Sequence, residues 1–342
     1  MKQKLYARGT MFAILGGALW AVAGLCGQYI FEEKHLDASW YVAVRLMMAG
    51  VILLFFSWVK FRRDIFSIWK DKKDAAGLLV YGIMALMGVQ LTHFLAVQYC
   101  NAATATVIMY LSPAFVLAWL CLVSRRAPGK IEIFAVALAV AGVFLLVTHG
   151  DVTSLSITGI ALFWSVASAI LMAFYSVQPK KLIDKWGSLL TNAWGMTLGG
   201  GALCIYNPPW QTGGGRVDVI TIAIMVMVVL FGTVAAFWLF LEGMRIIGSQ
   251  KASVYACAEP LFTAVFGVIC LGIDMTATDW IGAFLIVVTV VILALEPGKK
   301  KESPQQSSLK PAIAEPVKMS GKNKKSFPGK EGERKRMDPV KI

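Results

Sequence analysis

Apolar residues fall in ten long stretches along the first 296 residues, at 10–31, 40–59, 76–99, 102–123, 131–148, 157–178, 188–206, 219–243, 252–271 and 279–295, with short polar segments between them. Each stretch is close to the roughly 20 apolar residues of helix that cross a hydrocarbon core of about 30 Å. They are too long, and alternate too little, to be the ~10-residue strands of a membrane barrel. The pattern predicts an all-α membrane protein of ten transmembrane helices.

Composition agrees: 57% of residues are hydrophobic, 15% are charged, and the mean hydropathy is +0.66. The first apolar run follows Lys2, Lys4 and Arg8 as in a signal peptide. It is longer than such a segment and ends at Gln28 and Glu32 rather than at a small-residue cleavage site, so it is expected to stay as the first helix. Cysteines 26, 100, 121, 204, 257 and 270 lie in or at the ends of spans with no metal-ligand spacing, and read as small apolar residues.

Lys and Arg alternate in abundance from loop to loop. Lys2, Lys4 and Arg8 precede the first span. Lys60, Arg62, Arg63, Lys70, Lys72 and Lys73 follow the second, Arg125, Arg126 and Lys130 the fourth, Lys180, Lys181 and Lys185 the sixth, and Arg245 and Lys251 the eighth. The intervening loops hold only Lys34 and Arg216. Basic loops stay in the cytoplasm, so both termini are expected inside (N-in/C-in), with the helices in a plasma, bacterial inner, membrane. Residues 297–342 are basic, polar and Pro-rich, and supply much of the net charge of +13. They read as a disordered cytoplasmic tail, solvated or loosely drawn to anionic lipid, with no folded basic face for nucleic acid.

The chain repeats itself. At a separation of 147, Ala105 falls on Ala252, Thr106 on Ser253, Pro113 on Pro260, Phe115 on Phe262 and Glu132 on Asp279; at 144, Trp20 falls on Trp164. This divides the chain into a first repeat at 1–150, a second at 151–296, and the tail at 297–342. Each repeat holds five helices, an odd number, so the second copy must enter the membrane upside down. Two inverted five-helix repeats are the build of alternating-access transporters, whose sites lie near the midplane between the halves.

Over residues 8–296 the chain resembles the drug/metabolite transporter superfamily, EamA type. The resemblance rests on Trp20, on Arg45-Leu46 followed by Ala49-Gly50, and on Ala102-Ala103-Thr104-Ala105 with Ser112-Pro113. In the second half it rests on Gly248-Ser249 to Ala252, Glu259-Pro260 and Trp280-Ile281-Gly282. It departs at Ala21, where the family often has Gly, and at Ser124-Arg125-Arg126, where an acid is usual. The resemblance implies export or exchange of small solutes such as amino acids or metabolites.

Polar groups inside spans are the candidates for function, because an ionised side chain in lipid costs on the order of 2.5–3.5 kcal/mol on insertion scales. Glu259, beside Pro260 and with Tyr255 at i−4, is the proton-coupling candidate, or else a structural acid. Pro113 and Pro260 break their helices and free the carbonyls of Met109 and Ala256, either around a central site or as packing kinks. Gln90 and His93 share a polar face, which suggests a pore lining, or else a buried histidine satisfied by hydrogen bonds. Ser168 and Tyr175 share a stripe with Ser165, which serves a cavity or tight packing. Trp20, Trp164 and Trp238 sit mid-span, where adaptable cavity walls are expected, and Tyr110 completes the substrate-cavity set. Arg45, five residues into its span, is expected to snorkel toward Glu32, Glu33 or Asp37, with a direct hold on a substrate carboxylate as the alternative. Glu242 and Arg245 are expected to pair.

Together these features point to a secondary transporter, a monomer or weak dimer, with a small-molecule substrate, the bilayer and protons as partners. No cofactor or metal is expected, and no nucleotide or protease motif indicates an enzyme. A passive facilitator or channel is the alternative.

Overall fold

In the computed structural model, residues 2–123, 125, 127–149, 157–247, 255 and 258–295 are described. Every regular element among them is helical. Helix α1 is Lys2–Lys34 and α2 is Ala38–Phe61. A 3₁₀ segment, Arg62–Lys70, leads to α3, Lys72–Tyr99, whose middle, Val80–Met87, is π-helical. Helix α4 comprises Ala102–Met109 and Ser112–Val123, and α5 is Lys130–Thr148. Then come α6 (Gly159–Val177), a short helix at Lys180–Trp186, and α7 (Ser188–Tyr206). Helix α8 joins Val219–Val229, π-helical Leu230–Ala235 and Ala236–Ile247. Helices α9 and α10 are Ala258–Leu271 and Ala277–Leu295.

Among the described residues, six helices are long and apolar enough to cross a membrane: Leu5–Lys34, Ala38–Lys60, Lys72–Tyr99, Ala102–Val123, Gly159–Val177 and Val219–Phe240. Ala258–Leu271 and Ala277–Ile292 are shorter apolar helices. Large apolar side chains such as Leu122, Phe134, Val140, Phe163, Ile205 and Ile269 are exposed on the bundle. Water would not tolerate so much bare apolar surface, whereas lipid tails would. The tail at 297–342, the boundary at 150–151, Gly248-Ser249, residues 252–254, Ala256 and the side chain of Arg245 lie outside the described residues.

Helix α2 packs on α7, α5 on α10, and α4 on α9; α1 packs on α8 and α9, and α6 on α3 and α4. Exchanging α1–α5 for α6–α10 returns the same set of pairs. The closest crossings obey the exchange residue by residue. A Cβ on Gly50 would lie 2.5 Å from the Thr197 nitrogen, and one on Gly200 would lie 2.4 Å from the Met47 nitrogen, so 47 and 50 swap with 197 and 200. Where α5 crosses α10, a Cβ on Gly142 would meet the Gly282 carbonyl at 2.7 Å, and Thr289 donates to the Ala135 carbonyl at 3.1 Å. At the 147-residue separation Gly142 corresponds to Thr289 and Ala135 to Gly282. The aligned acids make equivalent bonds, each at the start of its helix. Glu132 accepts from the Gly129 N–H at 2.6 Å, and Asp279 from the Thr276 N–H at 2.8 Å.

The bundle ends are tied in matching ways. At one end the Lys34 ammonium contacts Asp218 at 2.8 Å, and Trp40 Nε1 donates to the Pro209 carbonyl at 2.7 Å. At the other, Lys185 contacts Asp74 at 2.5 Å and Asp71 at 3.3 Å, and Trp186 Nε1 donates to Asp74 at 2.9 Å. Asp218 and Asp71 also cap α8 and α3 through the N–H groups of Thr221 and Lys73. Lys34 holds the Asp218 carboxyl far below the usual carboxylate range, and the Lys73 N–H followed by Lys185 lowers that of Asp71. A lowered carboxyl stabilises the fold above its ordinary pKa and loses that contribution as pH falls through the lowered value. Asp218 and Asp71 therefore stay charged at neutral pH.

The α2–α7 crossing yields a prediction. Gly200→Val forces branched carbons into the α2 backbone and should destabilise the protein by about 1–3 kcal/mol of overpacking, read as a lower unfolding temperature of the purified protein. Gly201→Ala, where nothing lies within 4 Å of the new Cβ, should be neutral or slightly stabilising. Equal melting of the two variants would contradict the crossing.

Candidate functional site

Tyr41, Arg45 and Ala49 lie one helical turn apart on α2, and all three are buried. This face turns inward, so Arg45 does not snorkel to the loop carboxylates as its position along the chain suggested. Its Nε donates to Thr233 Oγ1 at 2.9 Å and a terminal nitrogen reaches the Gly232 carbonyl at 3.5 Å, both in the π-helical part of α8. Its guanidinium lies 5.2 Å from the centre of the Phe94 ring. Glu32, an expected partner, accepts instead from Gln28 at 2.9 Å. A π-helical turn leaves backbone carbonyls off the regular ladder, and Arg45 uses one of them.

Beside this charge stands the α4–α9 contact. Tyr110 occupies the interruption in α4 ahead of Ser112-Pro113, and its hydroxyl donates to Glu259 Oε2 at 2.9 Å. Pro113 has no N–H for the Met109 carbonyl, which is why the helix stops at Met109 and restarts at Ser112. Pro260 lies in the first turn of the described part of α9, where its missing N–H is tolerated. The side chain of Pro113, like all of Ala256, lies outside the described residues. Glu259 and Arg45 are within electrostatic range of each other, so α2, α4, α8 and α9 converge on one polar centre.

His93 is buried on α3, edge-on to Phe94 at 5.1 Å, and its Nδ1 has no hydrogen-bond partner among the described residues. The half-buried Gln90 is on the same helix face. Other expected cavity residues are distributed elsewhere. Trp20 packs at 5.2 Å against both Phe237 and Phe240 of α8, and Trp164 against Phe163 at 5.0 Å. Ser165 and Ser168 donate to carbonyls of their own helix, at Ala161 and Ser165. Tyr175 stacks on Tyr81, whose hydroxyl donates to the buried Asn192 of α7. Trp238 is 60% exposed, tilted against Phe12. Tyr255 faces α1 across a cleft of about 490 Å³ lined by Tyr6, Ala7, Thr10, Met11, Ile14 and Leu15. That is room for a small solute.

Thr233 and Asn192 carry no mark in the sequence, and Arg45 faces inward rather than toward the loop carboxylates. For Arg45 the available signal was its spacing from Tyr41 and Ala49. Nothing local marks Thr233, which is 188 residues from its partner.

Removing the Tyr110–Glu259 bond should cost little alone, because hydrogen bonds inside membranes average about 0.6 and reach about 1.7 kcal/mol in double-mutant cycles. Tyr110→Phe and Glu259→Gln, singly and together, should show a coupling of that size in thermal unfolding. Strictly additive losses would mean that the contact contributes nothing.

Comparison with known proteins places this geometry in a lineage. The EamA-like transporter family matches residues 7–148 and 159–295. The uncharacterized inner membrane transporter YicL of Salmonella typhimurium is 39% identical over 293 residues, 86% of this chain and 97% of the relative. The uncharacterized transporter YcbK of Bacillus subtilis is 22% identical, over 86% of this chain and 96% of its own. A solved crystal structure at 14% identity has a TM-score of 0.57 and covers 84% of this chain and 96% of that one, so the two share a fold. A helical membrane bundle matched twice by one family, with a relative at 39% identity along nearly its whole length, is a member of that family: the chain belongs to the EamA-like transporters.

Proposed function

We propose that the protein is a secondary transporter that moves small solutes, amino acids or related metabolites, across the bacterial inner membrane by alternating access. Ten spans in two inverted five-helix repeats, with both termini cytoplasmic, make up the machine. The observation that carries this reading is the exchange symmetry of the helix contacts, in which each crossing made by the first half with the second recurs with the roles reversed. Such a pair of halves has two equivalent ways of leaning on each other, and these are the two states that alternating access needs. The Lys34–Asp218 and Lys185–Asp74 ties, one at each end, then act as outer and cytoplasmic gates. The basic loops favour this assignment of sides, and the inner membrane setting follows that of YicL.

Glu259 is the coupling group in this reading. A carboxylate held by one tyrosine hydroxyl at the meeting of α4 and α9 can take a proton on one side and release it on the other as the halves rock. Export is the direction that the family resemblance favours.

The test is uptake by purified protein in liposomes of a mixed amino-acid and metabolite pool, with and without an imposed pH gradient. Accumulation above equilibrium driven by the gradient, and lost in Glu259→Gln, is the expected result. Equilibration indifferent to pH and to the substitution would make the protein a passive facilitator with a structural Glu259.

A further inference from the structure

Arg45 breaks the symmetry that the surrounding helices keep. Gly82 and Gly232 are each the third residue of a π-helical segment, in α3 and α8 respectively. The α2–α7 crossing pairs residues 150 apart, which sets Arg45 opposite Gly195. Gly195 packs backbone to backbone on α3, since a Cβ on Gly82 would meet its carbonyl at 3.0 Å. At the same place in the other half, an arginine reaches the backbone of Gly232. Packing on a π-helical segment is therefore achieved in this fold without a charge.

The charge is also under-compensated. A guanidinium has five N–H donors, yet Arg45 bonds only Thr233 and, at 3.5 Å, Gly232 among the described residues. The groups near its charge are Tyr41 on its own helix, Cys26 on α1, His93 and Phe94 on α3, and Glu259 on α9. Glu259, the acid among them, is engaged by Tyr110. Burial of a cation is tolerated when an anion pairs with it. The buried Nδ1 of His93 on the same Phe94 platform is a second polar atom with nothing to bond among the described residues. A forked donor and an imidazole nitrogen, neither hydrogen-bonded to an acid among the described residues, suit a planar or tetrahedral oxyanion.

We propose that Arg45, assisted by His93, holds the anionic group, carboxylate or phosphate, of the transported solute. This rests on the transporter reading and names the chemistry of its substrate. Glu259 then competes with the solute for Arg45: neutralising the acid strengthens the anion site.

The test is ligand-induced thermal stabilisation of the purified full-length protein, titrated to saturation. The probes are L-phenylalanine with phenethylamine, L-leucine with isoamylamine, succinate with succinamide, and inorganic phosphate. At least one anion should bind saturably while its amine or amide counterpart does not, and the phosphate arm separates the two sources of charge. Arg45→Gln should weaken that anion by about 30-fold or more, the usual effect of removing one partner of a buried charge pair. Arg45→Lys, which keeps the charge but loses the fork, should weaken it less. Glu259→Gln should bind it more tightly than the native protein, a gain that a merely structural Arg45 would not produce.

Binding of the uncharged or cationic partner as tightly as the acid, no saturable anion in the panel, or native-like affinity in a folded Arg45→Gln would each overturn the proposal. If Arg45→Gln does not fold, Arg45→Lys and Glu259→Gln decide: unchanged affinity in both contradicts it. Uptake of solutes into liposomes by the native protein in that case would leave transport standing and remove only the role of Arg45.

Discussion

Where α2 crosses α7, Gly50 and Gly200 let two backbones meet at distances that no side chain could share, and the residues they meet, Thr197 and Met47, are related by the same exchange. In lipid there is little hydrophobic force between helices, so close approach of this kind is what holds them. The π-helical stretches of α3 and α8 lie against the two helices, and the ends of the bundle carry the two lysine–aspartate ties.

Lipid offers no water to a stray polar group, and the polar chemistry of this chain follows from that constraint. Most of it is settled locally: serines bond their own helix, the paired acids cap α5 and α10, and Gln28 caps α4 through the Ala102 N–H at 2.8 Å. Buried polar atoms of Thr10, Ser57, Trp69 and Gln178 also have no partner among the described residues, and Arg45, His93 and Glu259 gather where α2, α3, α4, α8 and α9 approach one another. An arginine short of partners, a histidine nitrogen with none among the described residues, and a glutamate held by one tyrosine are expensive to keep there.

Much of the fold was legible in the sequence because hydrocarbon thickness fixes span length. The expected span at 40–59 lies within α2 at 38–61, and the interruption at Pro113 follows from a missing N–H. The Glu132–Asp279 alignment, which with the paired prolines carries the repeat in the sequence, corresponds to two matching helix caps. The π-helical segments were invisible, since a helix apolar all round shows no change in period. The site was read less well. Arg45 looked like a snorkelling side chain because sequence distance to Glu32 and Asp37 is short; its fate was set by α8, far along the chain. Trp238, counted as a cavity wall for being mid-span, is largely exposed against Phe12, because depth in a span does not say which way a residue faces.

The central claim is that the two ends open in turn. Spin labels at Glu33 and Val217 report one end, and labels at Lys72 and Asp184 the other; all four side chains are exposed. Distance distributions would be measured for each pair in lipid nanodiscs, with and without a saturating transported solute and at two pH values. Alternating access predicts that whatever lengthens one distance shortens the other. Two distances that stay fixed, or that lengthen together, would contradict the account.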